Sequence, residues 1–144
     1  MVLPEAFEKF FSEIYGQRWP RLLLALQSKE YQVKRPNAFA EPLAALETAE
    51  IPRSANGLLA YYIMDPASIA AAEALQVTAG DRVLDMCAAP GGKTLILAEA
   101  LQDSGEIIAN EISEARRDRL KKVIQQYIPR NVRDRVWVSG KDGG

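Results

Sequence analysis

The stretch Asp85-Met86-Cys87-Ala88-Ala89-Pro90-Gly91-Gly92-Lys93-Thr94 constrains this chain more than any other. Before it lies Arg82-Val83-Leu84, short, apolar and β-branched, which predicts a buried strand running from Arg82 to Met86. After it lies Leu95-Ile96-Leu97-Ala98-Glu99-Ala100-Leu101, which predicts a helix. The residues between are small, with one Pro and two Gly, so the order is strand, tight loop, helix N-terminus. Glycine lets a ligand approach such a loop, because no Cβ stands in the way. The helix start adds unpaired N–H groups and a partial positive charge. Together these suit a polar or anionic part of a nucleotide-like ligand.

Three ligand classes use that geometry. A P-loop requires G-x-x-x-x-G-K-[ST]. Gly92-Lys93-Thr94 supplies its end, but Cys87 stands where the first Gly belongs. A dinucleotide site requires G-x-G-x-x-G after its strand, and that spacing is absent. The third class is S-adenosylmethionine. There, one acid ends strand one and a second ends strand two, where a carboxylate can accept from both ribose hydroxyls. Asp85 and Glu111 are those acids; Glu111 follows Gly105 to Asn110, the predicted second strand.

The run from Asp85 to Thr94 resembles the cofactor motif of the RNA (cytosine-C5) methyltransferases of the Sun-domain family. Tyr61-Tyr62-Ile63-Met64-Asp65-Pro66-Ala67-Ser68 is similar to the family's segment before the core. Ala109-Asn110-Glu111-Ile112-Ser113 with Arg116 resembles its second cofactor motif, where Asp is commoner than this Glu. Lys141-Asp142-Gly143 resembles the third, and Tyr15-Gly16-Gln17-Arg18-Trp19-Pro20 the front of the compact ribosomal-RNA members. The resemblance covers the whole chain but only the front of the family's catalytic domain.

It implies an α/β fold: the first half of a Rossmann-like S-adenosylmethionine-dependent methyltransferase sheet, preceded by a small helical segment. It further implies that Gly91, Gly92, Lys93 and Thr94 face the methionine end of the cofactor. Glu111 would bind the ribose, Arg116 would border it, and Asp142 with Gly143 would meet the adenine.

The chain as a whole is ordinary for a globular domain: 144 residues, 48% hydrophobic and 26% charged. No apolar run approaches the roughly 20 residues of a membrane span, so no membrane partner is expected. Met1 to Glu5 has the look of neither a signal nor a transit peptide. One cysteine suits the cytosol. The expected compartment is cytoplasmic, with the mitochondrion as the alternative in a eukaryote. His is absent, which excludes His-based acid–base chemistry within this chain, and no metal site is expected.

Residues 1–55 are expected to form a helical segment and linker, and residues 56–144 the truncated methyltransferase half. Phe7, Phe10, Phe11 and Ile14 make an apolar stripe on a helix from Pro4 to Tyr15. A second helix is predicted from Pro20 through Leu26. The plainer role of both is a layer packed on the core; the alternative is an RNA-guiding front domain. Val33 to Arg53, with Pro36, Pro42 and Pro52, predicts an irregular linker with a short helix around Leu43 to Thr48. Asp65-Pro66 caps and opens a small-residue helix, Ala67 to Leu75, expected to pack on the sheet.

After Glu111, Ser113 is expected to cap a helix that buries Leu120, Val123, Ile124 and Tyr127 and stops at Pro129. Between Glu114 and Arg135 stand eight basic residues against three acidic ones, in a chain of net charge −1. This is either a solvated face or a patch for RNA phosphates. Arg133 to Ser139 predicts strand three. Three successive strands joined by helices predict a parallel sheet in the order one, two, three, with ligands at the carboxyl ends.

In the resembling family a Cys thiolate adds to carbon 6 of cytosine, which makes carbon 5 nucleophilic toward the methyl group. Those cysteines lie in Pro-Cys and Thr-Cys contexts, neither of which occurs here. No catalytic residue is therefore assigned, and the chain alone is not expected to methylate RNA. Cys87 is expected to be a small residue buried under the loop.

The leading reading is the cofactor-binding part of an RNA methyltransferase, its RNA expected to be ribosomal. The alternative is a non-catalytic module that binds S-adenosylmethionine or RNA, or pairs with another subunit. A P-loop hydrolase is third. With half a sheet, strand one becomes an edge, and self-association or cover by a second polypeptide is expected.

Overall fold

The computed structural model describes residues 4–28, 31–42 and 50–142. The chain divides into two compact units, Met1–Gln32 and Val33–Gly144. The helix expected around Leu43 to Thr48 lies outside the described residues.

The first unit holds α1 (Glu5–Tyr15), a 3-10 turn (Gly16–Arg18) and α2 (Trp19–Gln27). The expected stripe is regrouped. Phe7, Phe11 and Tyr15, four residues apart, gather round buried Trp19; Phe11 and Tyr15 stack on its ring with centroids at 5.3 and 6.2 Å. Phe10 and Ile14 are exposed. A spacing of four drifts slowly around the helix, so this row stays on one side.

The second unit opens with a strand where an irregular linker was expected. β1 (Val33–Pro36) pairs antiparallel with β2 (Tyr61–Met64), Val33 opposite Met64 and Pro36 opposite Tyr61. This pairing is why the compact unit begins at Val33, whereas the sequence placed a boundary after residue 55. Pro36 sits at the strand's last position, where its missing N–H costs little.

Then come α3 (Pro66–Glu73), β3 (Arg82–Asp85), α4 (Gly92–Leu101), β4 (Glu106–Asn110), α5 (Glu114–Tyr127), the single turn α6 (Arg130–Arg133) and β5 (Val136–Ser139). Asp65 caps α3, its carboxylate accepting from the Ala67 N–H at 2.7 Å. α3 packs on α4: Ala72, Ile96 and Met64 form one small cluster. The sheet is parallel in the order β3-β4-β5, with Asp85 beside Ala109 and Asn110 beside Ser139, as the sequence predicted.

The core lies on one face of that sheet. Ile107 and Ala109 point into it against Leu95, Leu97, Ala98 and Leu101 of α4 and Leu120, Ile124 and Tyr127 of α5. A fully buried side chain such as Ile107 or Leu120 contributes about 1.5–3 kcal/mol. The alternate residues Leu84, Ile108 and Trp137 point the other way and are 59%, 42% and 60% exposed. β3, where a buried strand was predicted, is thus covered on the Val83 face and open on the Leu84 face. No helix of the described residues is long and apolar enough to cross a membrane.

Candidate ligand-binding site

The carboxyl ends of β3, β4 and β5 and the loop after β3 surround an open cleft. Met86, Cys87, Asn110, Glu111, Ile112, Arg116, Lys141 and Asp142 line it. Three of the residues expected at a ligand, Glu111, Arg116 and Asp142, meet here.

Glu111 follows the central strand directly, and its backbone N–H donates to Ser139 of the next strand at 3.0 Å. Its side chain is only 5% exposed. Oε1 accepts from the Ser113 N–H at 3.0 Å, and Oε2 lies 3.4 Å from Arg116 Nη2. Ser113 stands at the N-cap position of α5 but makes no side-chain cap; its N–H serves the carboxylate instead. Two carboxylate oxygens offer about four lone-pair sites. The two contacts named leave acceptor capacity toward the cleft.

Arg116 does more than border the carboxylate. Its Nη2 also donates to the Ala89 carbonyl at 3.0 Å, which ties the loop after β3 to the acid after β4. Arg117 turns back on the strand end, donating to the carbonyls of Glu111 and Ile112 at 2.8 and 3.1 Å. Arg133 and Arg135 likewise donate to backbone carbonyls, of Gln125 and Gln102. Lys121 pairs with Asp118 at 3.2 Å, so at least five of the eight basic residues have partners within the chain.

The loop residues divide. Gly92 and Lys93 line a neighbouring cleft with Tyr62, Met64, Ser68, Ala88 and Pro90. A Cβ on Gly92 would stand 3.0 Å from the Tyr62 ring and 3.2 Å from the Met64 methyl. At Gly91 and Thr94 the side-chain positions are directed into the protein. Gly91 has φ of +120°, and a Cβ there would come within 2.9 Å of Val123 on α5. Thr94 is 0% exposed and its hydroxyl donates to Asp85 Oδ2 at 2.8 Å, so it holds the first acid in place. The sequence motif recorded both positions without distinguishing packing from contact. Gly143 lies outside the described residues.

Cys87 is exposed, contrary to the expected burial. Ala88 and Ala89 fill the space under the loop instead. The residue that the sequence reading did not single out is Asn110, whose amide spans two strand ends. Its place within a recognised motif was the available signal. On the far side, the Tyr127 hydroxyl is pushed up to about 12, by burial first and then by Tyr62 and Tyr61, against a lowering by Arg53.

Comparison with known proteins agrees with the fold. Residues 72–136 match the family described as 16S rRNA methyltransferase RsmB/F. Over 92 residues the chain is 48% identical to the 5-cytosine rRNA methyltransferase NSUN4 of Bos taurus, covering 60% of this chain and 23% of that protein. The crystal structure of NSun6 from Pyrococcus horikoshii with SFG is 32% identical, with a TM-score of 0.52 over 58% of this chain and 21% of that one. A methyltransferase homologue from Pyrococcus horikoshii shares the fold over 97% of this chain and 53% of its own, with a TM-score of 0.62 at 21% identity. The chain spans less than a quarter of the length of the curated relatives it matches first. Over that part of their length, this chain resembles the RNA (cytosine-C5) methyltransferases of the Sun-domain family.

Proposed function

We propose that the chain is the S-adenosylmethionine-binding part of an RNA (cytosine-C5) methyltransferase, with ribosomal RNA as the substrate. The observation that carries this reading is the buried Glu111 carboxylate at the end of the central strand. It is held from behind by the Ser113 N–H and Arg116, and it lines the same cleft as Asp142. The donor set fits the cofactor. Glu111 accepts from the ribose hydroxyls, Arg116 orients the Glu111 carboxylate, and Asp142 accepts from an amino group on the adenine edge. The N-terminus of α4, which has no side-chain cap at Gly91, offers N–H groups to a carboxylate. When bound, S-adenosylmethionine supplies a methyl group on a sulfonium centre.

Exposed Arg119, Lys121 and Lys122 on α5 are the residues assigned to RNA phosphates. The NSUN4 relatives, named as 5-cytosine rRNA methyltransferases, support the choice of RNA. Cys87 lines the cleft with Glu111 and is not assigned to catalysis.

Titration calorimetry of the natural full-length product with S-adenosylhomocysteine tests the reading. Glu111→Ala is expected to weaken binding by about tenfold or more, the loss of hydrogen bonds to a charged acceptor at about 1.5–3 kcal/mol. Unchanged affinity sinks the ribose role of Glu111. Binding of ATP without S-adenosylhomocysteine favours a P-loop use of Lys93 instead.

A further inference from the structure

Asn110 ends β4, the middle strand of three, so its side chain can reach the ends of both neighbours. It uses this position fully. Nδ2 donates to the Lys141 carbonyl at 2.9 Å, and the Lys141 N–H donates to Oδ1 at 2.9 Å. The side-chain amide thereby mimics a paired strand residue for the backbone beyond β5. Nδ2 also lies 3.4 Å from the Met86 carbonyl beyond β3, and the Asn110 backbone carbonyl accepts from Ala88 N–H at 2.9 Å.

Lys141 immediately precedes Asp142, and Met86 and Ala88 belong to the loop whose Ala89 carbonyl is held by Arg116. Met86, Arg116, Lys141 and Asp142 line the Glu111 cleft, yet β5 ends at Ser139 and β3 at Asp85, so the sheet ladder no longer holds Met86 or Lys141. We infer that Asn110 is a positioning residue for the cofactor. Its amide latches Lys141, and through it Asp142, at a set distance from Glu111. The inference deepens the proposed function and rests on it.

The side chain must donate and accept at once. Aspartate has the same shape and can accept from the Lys141 N–H. It then presents a charge, with no donor, to the carbonyls of Lys141 and Met86. Asn110→Asp should therefore fail as Asn110→Ala does.

The test pairs calorimetry with hydrogen exchange on the natural full-length protein, using S-adenosylhomocysteine as the probe. Both variants are expected to bind it about tenfold more weakly, the loss of one to two hydrogen bonds' worth of positioning. Without ligand, the Lys141 amide should lose protection in Asn110→Ala, while Ile107 and Ala109, deep in the ladder, exchange as before. Affinity within twofold of the unaltered protein overturns the inference. Equal loss of protection at Ile107, Ala109 and Lys141 also overturns it, because Asn110 then merely stabilises the strand. An unaltered protein that does not bind the probe overturns the cofactor reading itself, and with it the positioning role. Exchange at Lys141 then shows only whether the latch exists.

Discussion

Single side chains fasten this fold at points where secondary structure cannot. Asn37 is buried, and its Nδ2 donates to the carbonyls of Leu59 and Tyr127 at 2.8 and 2.9 Å while Oδ1 accepts from the Phe39 N–H. One amide thus joins the segment after β1, the approach to β2 and the end of α5. Asn37→Ala is expected to cost about 2–4 kcal/mol, because it strips buried backbone groups of a partner. Urea unfolding measures it, and a loss below about 1 kcal/mol would show that water replaces the amide. Tyr127, in edge contact with Tyr62 at 5.2 Å, is held neutral by burial, its hydroxyl pushed up to about 12. As the pH rises past the ordinary tyrosine value of about 10, the unfolded chain loses this proton while the folded chain keeps it. Its contribution is therefore whole below that value and is lost as the pH climbs toward 12. The urea midpoint should fall between about pH 10 and pH 12, and less steeply in Tyr127→Phe. Equal slopes would refute the assignment.

Elements are joined by contacts distant in sequence. Glu99 of α4 receives the Arg35 guanidinium at 2.6 Å and the Ala38 N–H at 3.0 Å, which draws β1 and the segment after it onto the helix. Val33-Lys34-Arg35-Pro36 offers little strand signal, since two charges and a proline suggest a loop. What makes it a strand is β2 beside it and Glu99 beneath it. α3 is the contrary case, because its start is local. Asp65 caps it and Pro66 opens it, and Asp65→Ala is expected to lower stability by about 1 kcal/mol. Chemical denaturation checks this, and no change would mean that α4 alone sets the helix start.

At the scale of the molecule, the parallel sheet is covered on one face among the described residues. Parallel sheets are ordinarily covered on both faces. Here Leu84, Ile108 and Trp137 project from the second face, and β3 is an edge strand. The isolated 144-residue chain is expected to self-associate through this surface. Light scattering across a concentration series should show mass rising with concentration, and Trp137→Ser should reduce the rise. A concentration-independent monomer would show that the edge and face are tolerated in water.

The alternation of α3, β3, α4, β4, α5 and β5, the parallel sheet and the acids at its strand ends were legible in local patterns: Asp85 to Thr94 after an apolar strand, Glu111 after another, Ser113 and Pro129 bracketing α5. These depend on neighbours a few residues away, where spacing and residue type are enough. Tertiary structure alone decided which motif side chains are packed inward. Gly91 and Thr94 stand beside Gly92 and Lys93 in sequence, yet α5 and Asp85 claim them from inside. It also decided that Cys87 is open, that Asn110 bridges two strands and that Leu84 meets solvent while Val83 joins the core. Each outcome is set by what the rest of the fold brings against a side chain. A strand carries its alternation in its own sequence, but which of its faces is covered depends on where the helices pack.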